Sequence, residues 1–224
     1  YKISILAAIV FGKQVPLDKV HREGIRKVSA ADMKYAKQFG YKIKLLGICE
    51  ETADDQVLVR VHPTMIPLGH QVASVRDVYN AVWLHGDFVG DLMFSGRGAG
   101  AHPTASAVVG DLIDVIRNIM IGGSGSAIPY GTGLSTTSIS ELETRYYLRF
   151  EVEDRPGTLG EITTAFGRRS VGLAAMEMRT MVGGKGEIAF LTHVCREANF
   201  LTALEEVSRL PCVAQVENYI RVEQ

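Results

Sequence analysis

Residues 147–162 read Tyr147-Leu148-Arg149-Phe150-Glu151-Val152-Glu153-Asp154-Arg155-Pro156-Gly157-Thr158-Leu159-Gly160-Glu161-Ile162. The first seven alternate in the manner of a strand. Asp154 to Gly157 carry turn chemistry, and Leu159, Ile162 and Phe166 then recur at helical spacing. Downstream, 171–181 and 187–194 read as two strands around a Gly183-Gly184 turn. Residues 199–210 read as a helix stopped by Pro211, and 213–222 as a last strand. The order is βαββαβ within about 80 residues, the ferredoxin-like pattern.

Working upstream, residues 121–140 are rich in Gly, Ser and Thr with few large apolar side chains, a linker composition that Ile128, Pro129 and Tyr130 could tack onto a neighbouring surface. Before it stands a second informative stretch, Gly96-Arg97-Gly98-Ala99-Gly100-Ala101-His102-Pro103. A strand leads into these glycines and a helix follows. Pro103 suits its first position, and Ala105, Val108, Val109, Leu112, Ile113 and Ile116 form a stripe that has to be buried against something. Two readings of the glycines stand side by side: a turn that needs positive φ, or backbone amides offered to a ligand at a helix start. The spacing is not the dinucleotide fingerprint, because no βαβ unit with a following acidic residue surrounds it.

The first half reads as α+β with hairpins. An apolar helical run begins at Lys2 and ends at Gly12, and 15–28 suits an irregular strand or two. Ser29 caps a short helix with Asp32 in its first turn, closed by Gly40. Two strands follow, 41–49 and 56–63, joined by a solvated acidic hairpin at 50–55 and stopped by Pro63 and Pro67. Ser74 caps a short turn of helix, and 81–85 pairs with 89–94. The run starting at Lys2 has no cap residue before it and Tyr1 is not methionine, so the expectation is a chain cut inside a domain.

Composition narrows the function. The 224 residues suffice for two small domains with real cores, and 46% hydrophobic with 22% charged residues is ordinary for a globular protein. A formal net charge of −1 without basic clusters gives no reason to expect nucleic acid or an anionic membrane as partner. Cys49, Cys195 and Cys212 are scattered, which argues against a disulfide scaffold or thiolate metal site and for a reducing compartment. His62, His70, His85 and His102 fall on separate elements without ligand spacing, so no metal site is expected. No apolar run reaches the roughly 20 residues of a spanning helix.

The βαββαβ order together with Asp154-Arg155-Pro156-Gly157-Thr158-Leu159 resembles an ACT domain, a small-molecule sensor. The resemblance implies that these six residues hold an amino-acid effector, with glycine allowing backbone approach and free amides suiting a carboxylate. The remaining motifs then resemble bacterial homoserine dehydrogenase. They are Lys2-Ile3-Ser4-Ile5-Leu6-Ala7, Gly24-Ile25, Ala36 with Gly40-Tyr41-Lys42-Ile43-Lys44-Leu45-Leu46-Gly47, Val61-His62-Pro63, Asn80-Ala81-Val82, and the glycine loop through Val108. The family's amino-terminal nucleotide-binding domain, with its GxGxxG loop, has no counterpart in these residues.

That resemblance implies hydride exchange between NAD or NADP and aspartate 4-semialdehyde, giving L-homoserine on the route to threonine, isoleucine and methionine. Lys2 would be the catalytic acid and base, made suitable if burial lowers its pKa. Gly98 and Gly100 would border the nicotinamide, the cofactor being bound mainly by the absent domain, so the fragment alone is expected to be inactive. The implied organisation is a catalytic and dimerisation domain over 1–121, a linker over 122–143 and an ACT domain over 144–224. A homodimer in the cytoplasm, with threonine as effector, completes the expectation. The rival reading is a regulatory ACT protein without chemistry; a weaker one is another ACT-bearing enzyme of amino-acid metabolism.

Overall fold

The computed structural model describes residues 1–12, 14–52, 56–123, 136–181 and 183–223. Its backbone forms two compact units, one of Leu68–Pro129 and one of Tyr1–Pro67 with Tyr130–Gln224. This grouping cuts across the sequence boundaries at 121 and 144, because the last strand of the chain pairs with a strand of the first seventy residues.

The larger unit is α+β. Helix α1 (Lys2–Phe11) ends at Gly12, whose φ of 65° is left-handed. Residues 15–28, expected as irregular strand, fold instead as two 3-10 turns, Leu17–Lys19 and Ile25–Lys27, around the two-residue β1 (His21–Arg22). Val20, Ile25 and Val28 lie among charges and sustain neither helical nor strand periodicity. Helix α2 (Ala30–Gln38) carries the anticipated cap: Ser29 Oγ accepts from Asp32 N at 3.2 Å, and Asp32 Oδ2 accepts from Ser29 N at 2.8 Å. Gly40 follows with φ 84°.

Strands β2 (Tyr41–Thr52) and β3 (Gln56–Pro67) are both longer than their patterns indicated and pair antiparallel throughout. Their turn includes 53–55, outside the described residues. Pro63 does not stop β3. Beside β2, β3 has a second edge, which β1 shares at Arg60 and Val61 with the terminal strand at Thr64 and Met65. Pro63 falls between those two short pairings, where a residue without an N–H is tolerated.

From β6 (Glu143–Glu153) the expected order appears: α4 (Thr158–Arg168), β7 (Leu173–Thr180), β8 (Lys185–Thr192), the two-residue β9 (Cys195–Arg196), α5 (Glu197–Ser208) and β10 (Val213–Val222). The sheet runs β1-β3-β10-β6-β8-β7, with β2 on β3 and β9 on β6. Period two explains the two cores. Leu148, Phe150 and Val152 face α4 and α5 with Ile162, Phe166, Phe190 and Phe200. Tyr147, Ala189, Leu191 and Ile220 point the other way and meet Tyr35 and Ala36 of α2 and Met65 of β3. Because both faces are covered, β6 is almost wholly buried and carries few exposed polar positions.

The smaller unit holds the hairpin β4 (Tyr79–Gly86) and β5 (Gly90–Arg97), then α3 (Ala101–Met120). The turn before β4 starts at His70, whose Nδ1 accepts from Val72 N at 3.1 Å. Ser74, expected as its cap, closes it instead, with Oγ donating to Gln71 O at 2.7 Å. Pro103 is the third helical residue and not the first, still within the turn whose amides have no helical partner. The apolar stripe on α3 is exposed, with Val108 at 53% and Leu112 at 55%. The linker residues 124–135, including Ile128, Pro129 and Tyr130, lie outside the described residues.

Candidate functional site

Lys2 opens α1, with Tyr1 at the N-cap position and no side-chain cap bond. Two contacts seat this first turn. Ile3 lies over Gly47 of β2, so close that a Cβ on Gly47 would stand 3.2 Å from Ile3 Cβ. Ser4 Oγ donates to Val15 O at 2.7 Å. One turn further on, Ala7 is buried with Val15, Val57 and Val59. Lys2 itself is exposed. The burial that the family resemblance implies is therefore not supplied by the described residues, because Lys2 precedes the first residue of α1 that faces the core.

In the smaller unit, the glycine loop leaves the end of β5 exposed. Gly98 N donates to Val78 O at 2.8 Å, and a Cβ on Gly98 would collide with Asn80 Nδ2. Any side chain there would have to displace the end of Asn80, a residue of the same unit. Gly100 has φ 125° and ψ 157°, a conformation essentially confined to glycine. Its carbonyl accepts from Thr104 N at 3.2 Å and from Thr104 Oγ1 at 2.8 Å, closing the first turn of α3. Both glycines thus have internal reasons, while the loop backbone stays accessible. The loop is an exposed backbone turn at the head of a 20-residue helix.

The turn between β6 and α4 is built tightly. Asp154 N donates to Gly184 O at 2.9 Å, and the buried Thr158 donates its hydroxyl to Glu153 O at 2.8 Å. Gly157 takes φ 96° as the N-cap of α4 and contributes no side-chain cap, so the helix start is open. Arg155 is bound by Glu153, Nε to Oε2 at 3.4 Å, and by Glu161, Nη1 to Oε1 at 3.0 Å. The hydrogen bond from Arg155, followed by that from the Cys212 thiol, holds the Glu161 carboxyl below its ordinary range. Leu159 packs against the core under α4. Asp154, Arg155, Pro156, Gly157, Thr158 and Leu159 are therefore one connected turn at a helix start that has no side-chain cap, although Thr158 N donates to Arg155 O at 3.3 Å. Lys2 belongs to the same compact unit, on α1.

Sequence reading missed the buried charges of the larger unit. Asp32 is fully buried and accepts from Arg149 Nε at 2.8 Å, Asn218 Nδ2 at 3.0 Å and Tyr147 OH at 3.1 Å. Burial alone would raise its carboxyl, but the bonds from Arg149, Ser29 and Asn218 outweigh it and lower the pKa. Arg221 pairs with Glu197 and with Glu23, the latter at 2.8 Å. Arg60 bridges Glu50 at 2.5 Å and Glu223 at 2.8 Å. His62, read as a core or surface histidine, is core: its Nδ1 lies 3.0 Å from Pro63 O, and its buried Nε2 has no partner among the described residues. Charged residues recurring inside apolar strands were the available signal. The histidines do not converge: His85 pairs with Asp91 at 2.7 Å and His70 packs on Trp83. Among the described residues no group of three or more His, Cys, Asp or Glu is arranged to hold a metal.

These features can be set beside known proteins. The family model described as homoserine dehydrogenase matches residues 1–113, and the ACT domain model matches 146–212. The homoserine dehydrogenase of Synechocystis is 42% identical over 230 residues, covering 99% of this chain and 53% of that protein. That of Mycobacterium tuberculosis is 38% identical over 231 residues, covering 99% and 52%. A solved homoserine dehydrogenase from Thiobacillus denitrificans superposes with a TM-score of 0.88 at 36% identity, covering all of this chain and 52% of that one. The chain thus spans about half the length of the relatives it matches. The first match takes in α1, both long strands, the glycine loop and most of α3, and the second takes in the β6–α4 turn, so the chain belongs to the homoserine dehydrogenase family and carries an ACT domain.

Proposed function

We propose that this chain supplies the substrate-side and regulatory portions of an NAD(P)-dependent homoserine dehydrogenase that interconverts L-homoserine and L-aspartate 4-semialdehyde. The observation that supports it is the continuity of the family match across Lys2 and the glycine loop. On this reading residues 1–121 are the catalytic and dimerisation domain, 122–143 a linker and 144–224 the ACT domain. The pathway is threonine, isoleucine and methionine synthesis in the cytoplasm. No helix among the described residues is long and apolar enough to cross a membrane. The exposed apolar stripe of α3 suits a homodimer.

When bound, the nicotinamide supplies or accepts the hydride at the aldehyde carbon. Lys2 Nζ–H donates a proton to the aldehyde oxygen as that carbon gains the hydride. In the reverse direction the neutral amine takes the hydroxyl proton. The backbone at Gly98 and Gly100 would border the ring. Such proton transfer contributes typically 10²–10⁴-fold, so Lys2→Met in the full-length protein should lower kcat by about that factor with KM little changed. Retention of full turnover would refute the role.

The ACT turn is proposed to bind an amino acid, threonine first. Its carboxylate would meet the open start of α4, with Asp154 near its ammonium group. Calorimetric titration should show saturable threonine binding that Gly157→Val removes, with methionine, isoleucine and lysine as controls. The exposure of Lys2 favours one other reading, a purely regulatory protein. Threonine binding combined with no turnover in the full-length protein would select it.

A further inference from the structure

Gly47 sits in the interior of β2, opposite Val61 in register. A glycine inside a strand contributes no side chain and costs backbone entropy, so its presence calls for a local reason. Conformation is not that reason, because Gly47 is absent from the glycines with positive φ. Space is. A Cβ built on Gly47 would lie 3.2 Å from Ile3 Cβ, 3.4 Å from Cγ1 and 3.5 Å from Cδ1. The nearest of these atoms is the branch carbon of Ile3, fixed to the backbone of α1. Rotating the isoleucine side chain does not move it, so an added methyl would displace the helix turn itself. That turn carries Lys2, immediately before Ile3, and is tied on its other side by the Ser4 Oγ to Val15 O bond of 2.7 Å.

We propose that Gly47 is a positioning residue for Lys2: the bare surface of β2 at Gly47 seats the first turn of α1 and thereby fixes the point from which Lys2 reaches the reacting oxygen. The inference rests on the acid–base reading of Lys2 given above. It distinguishes Gly47 from Gly98, whose glycine requirement is set by the movable end of Asn80.

The test is a graded series in the full-length protein. Misplacing a reacting group by about 1 Å can cost on the order of 100-fold in rate. Gly47→Ala should therefore lower kcat several-fold, and Gly47→Val by on the order of 100-fold. In both, KM should change less than kcat, and the limb of the kcat–pH profile that Lys2→Met abolishes should move. Ile188→Val, which trims a side chain in the core under α4, controls for lost stability and should leave kcat and the pH profile unchanged. If Gly47→Ala and Gly47→Val lower only thermal stability, as Ile188→Val does, the positioning role is refuted while the reading of Lys2 stands. If Lys2→Met itself retains turnover, both fall together.

Discussion

Replacing His62 by asparagine should flatten the stability of the protein between about pH 7 and about pH 5. His62 is fully buried on β3, its Nδ1 directed to Pro63 O at 3.0 Å and to the Thr64 hydroxyl at 3.0 Å. Burial first, and then the positive charge of Arg221, push the imidazole down from 6.5 to about 3, while the Pro63 carbonyl and Glu23 oppose them weakly. The folded protein therefore stays unprotonated at His62 until about pH 3, whereas the unfolded chain takes up its proton near 6.5. Between those values the unfolded state binds more protons, so stability declines as pH falls from about 6.5. At roughly 1.4 kcal/mol per pH unit, the loss between about pH 7 and about pH 5 is about 2 kcal/mol. The depressed carboxyls of Asp32 and Glu23 do not enter this window, because their contribution fades only below the unfolded value near 4. Guanidinium unfolding followed by far-ultraviolet circular dichroism at several pH values reads the slope directly. The asparagine side chain offers an amide donor to Pro63 O without a titrating ring. A wild-type protein that loses less than about 0.5 kcal/mol across the window, or a His62→Asn variant with the wild-type slope, would refute the assignment.

Asp32→Ala should destabilise the protein by about 3–5 kcal/mol in the same assay, because it breaks the capping box and takes from the Arg149 guanidinium its fully buried carboxylate, leaving Glu187, Glu217 and the Ser29 hydroxyl. Adding Arg149→Met should cost much less than the sum of the two single changes, and additivity would show that the pair is not coupled. Gly98→Ala should lower the melting temperature in a way that Asn80→Ala reverses in the double variant, since the end of the Asn80 side chain is the atom a methyl meets. An equal loss with and without Asn80 would place the glycine requirement elsewhere.

Local chemistry carried much of the fold. Ser29 with Asp32 and Gly40 marked both ends of α2, and Asp154 to Gly157 marked the entry to α4, because caps and turns depend on neighbours within a few residues. Pairing partners were illegible for the opposite reason. Nothing near Thr64 shows that Arg221 will lie beside it, so Pro63 looked like a strand end. The buried pairs Arg149 with Asp32 and Arg221 with Glu197 were illegible for the same cause, since each charge is neutralised by a residue on another element. For the candidate site, spacing and resemblance singled out Lys2, Gly98 and Gly100. Read without the resemblance, Lys2 is a surface charge, as its exposure bears out, but nothing in the spacing revealed that Asn80 already fills the space beside Gly98.

The parallel pairing of β10 with β3 also sets a timetable for biosynthesis. Thr64 and Met65 leave the ribosome roughly 150 residues ahead of Arg221 and Val222, their partners in the sheet. At about 5–20 residues per second that delay is roughly 8–30 s. Through it, the edge of β3 beyond β1 carries backbone donors and acceptors with no strand beside them, and the whole Leu68–Pro129 unit is made before the closing strand appears. The ten-residue β10 thus completes a sheet begun with β3 roughly 150 residues earlier, and the nascent protein must hold that edge open and unaggregated through the interval.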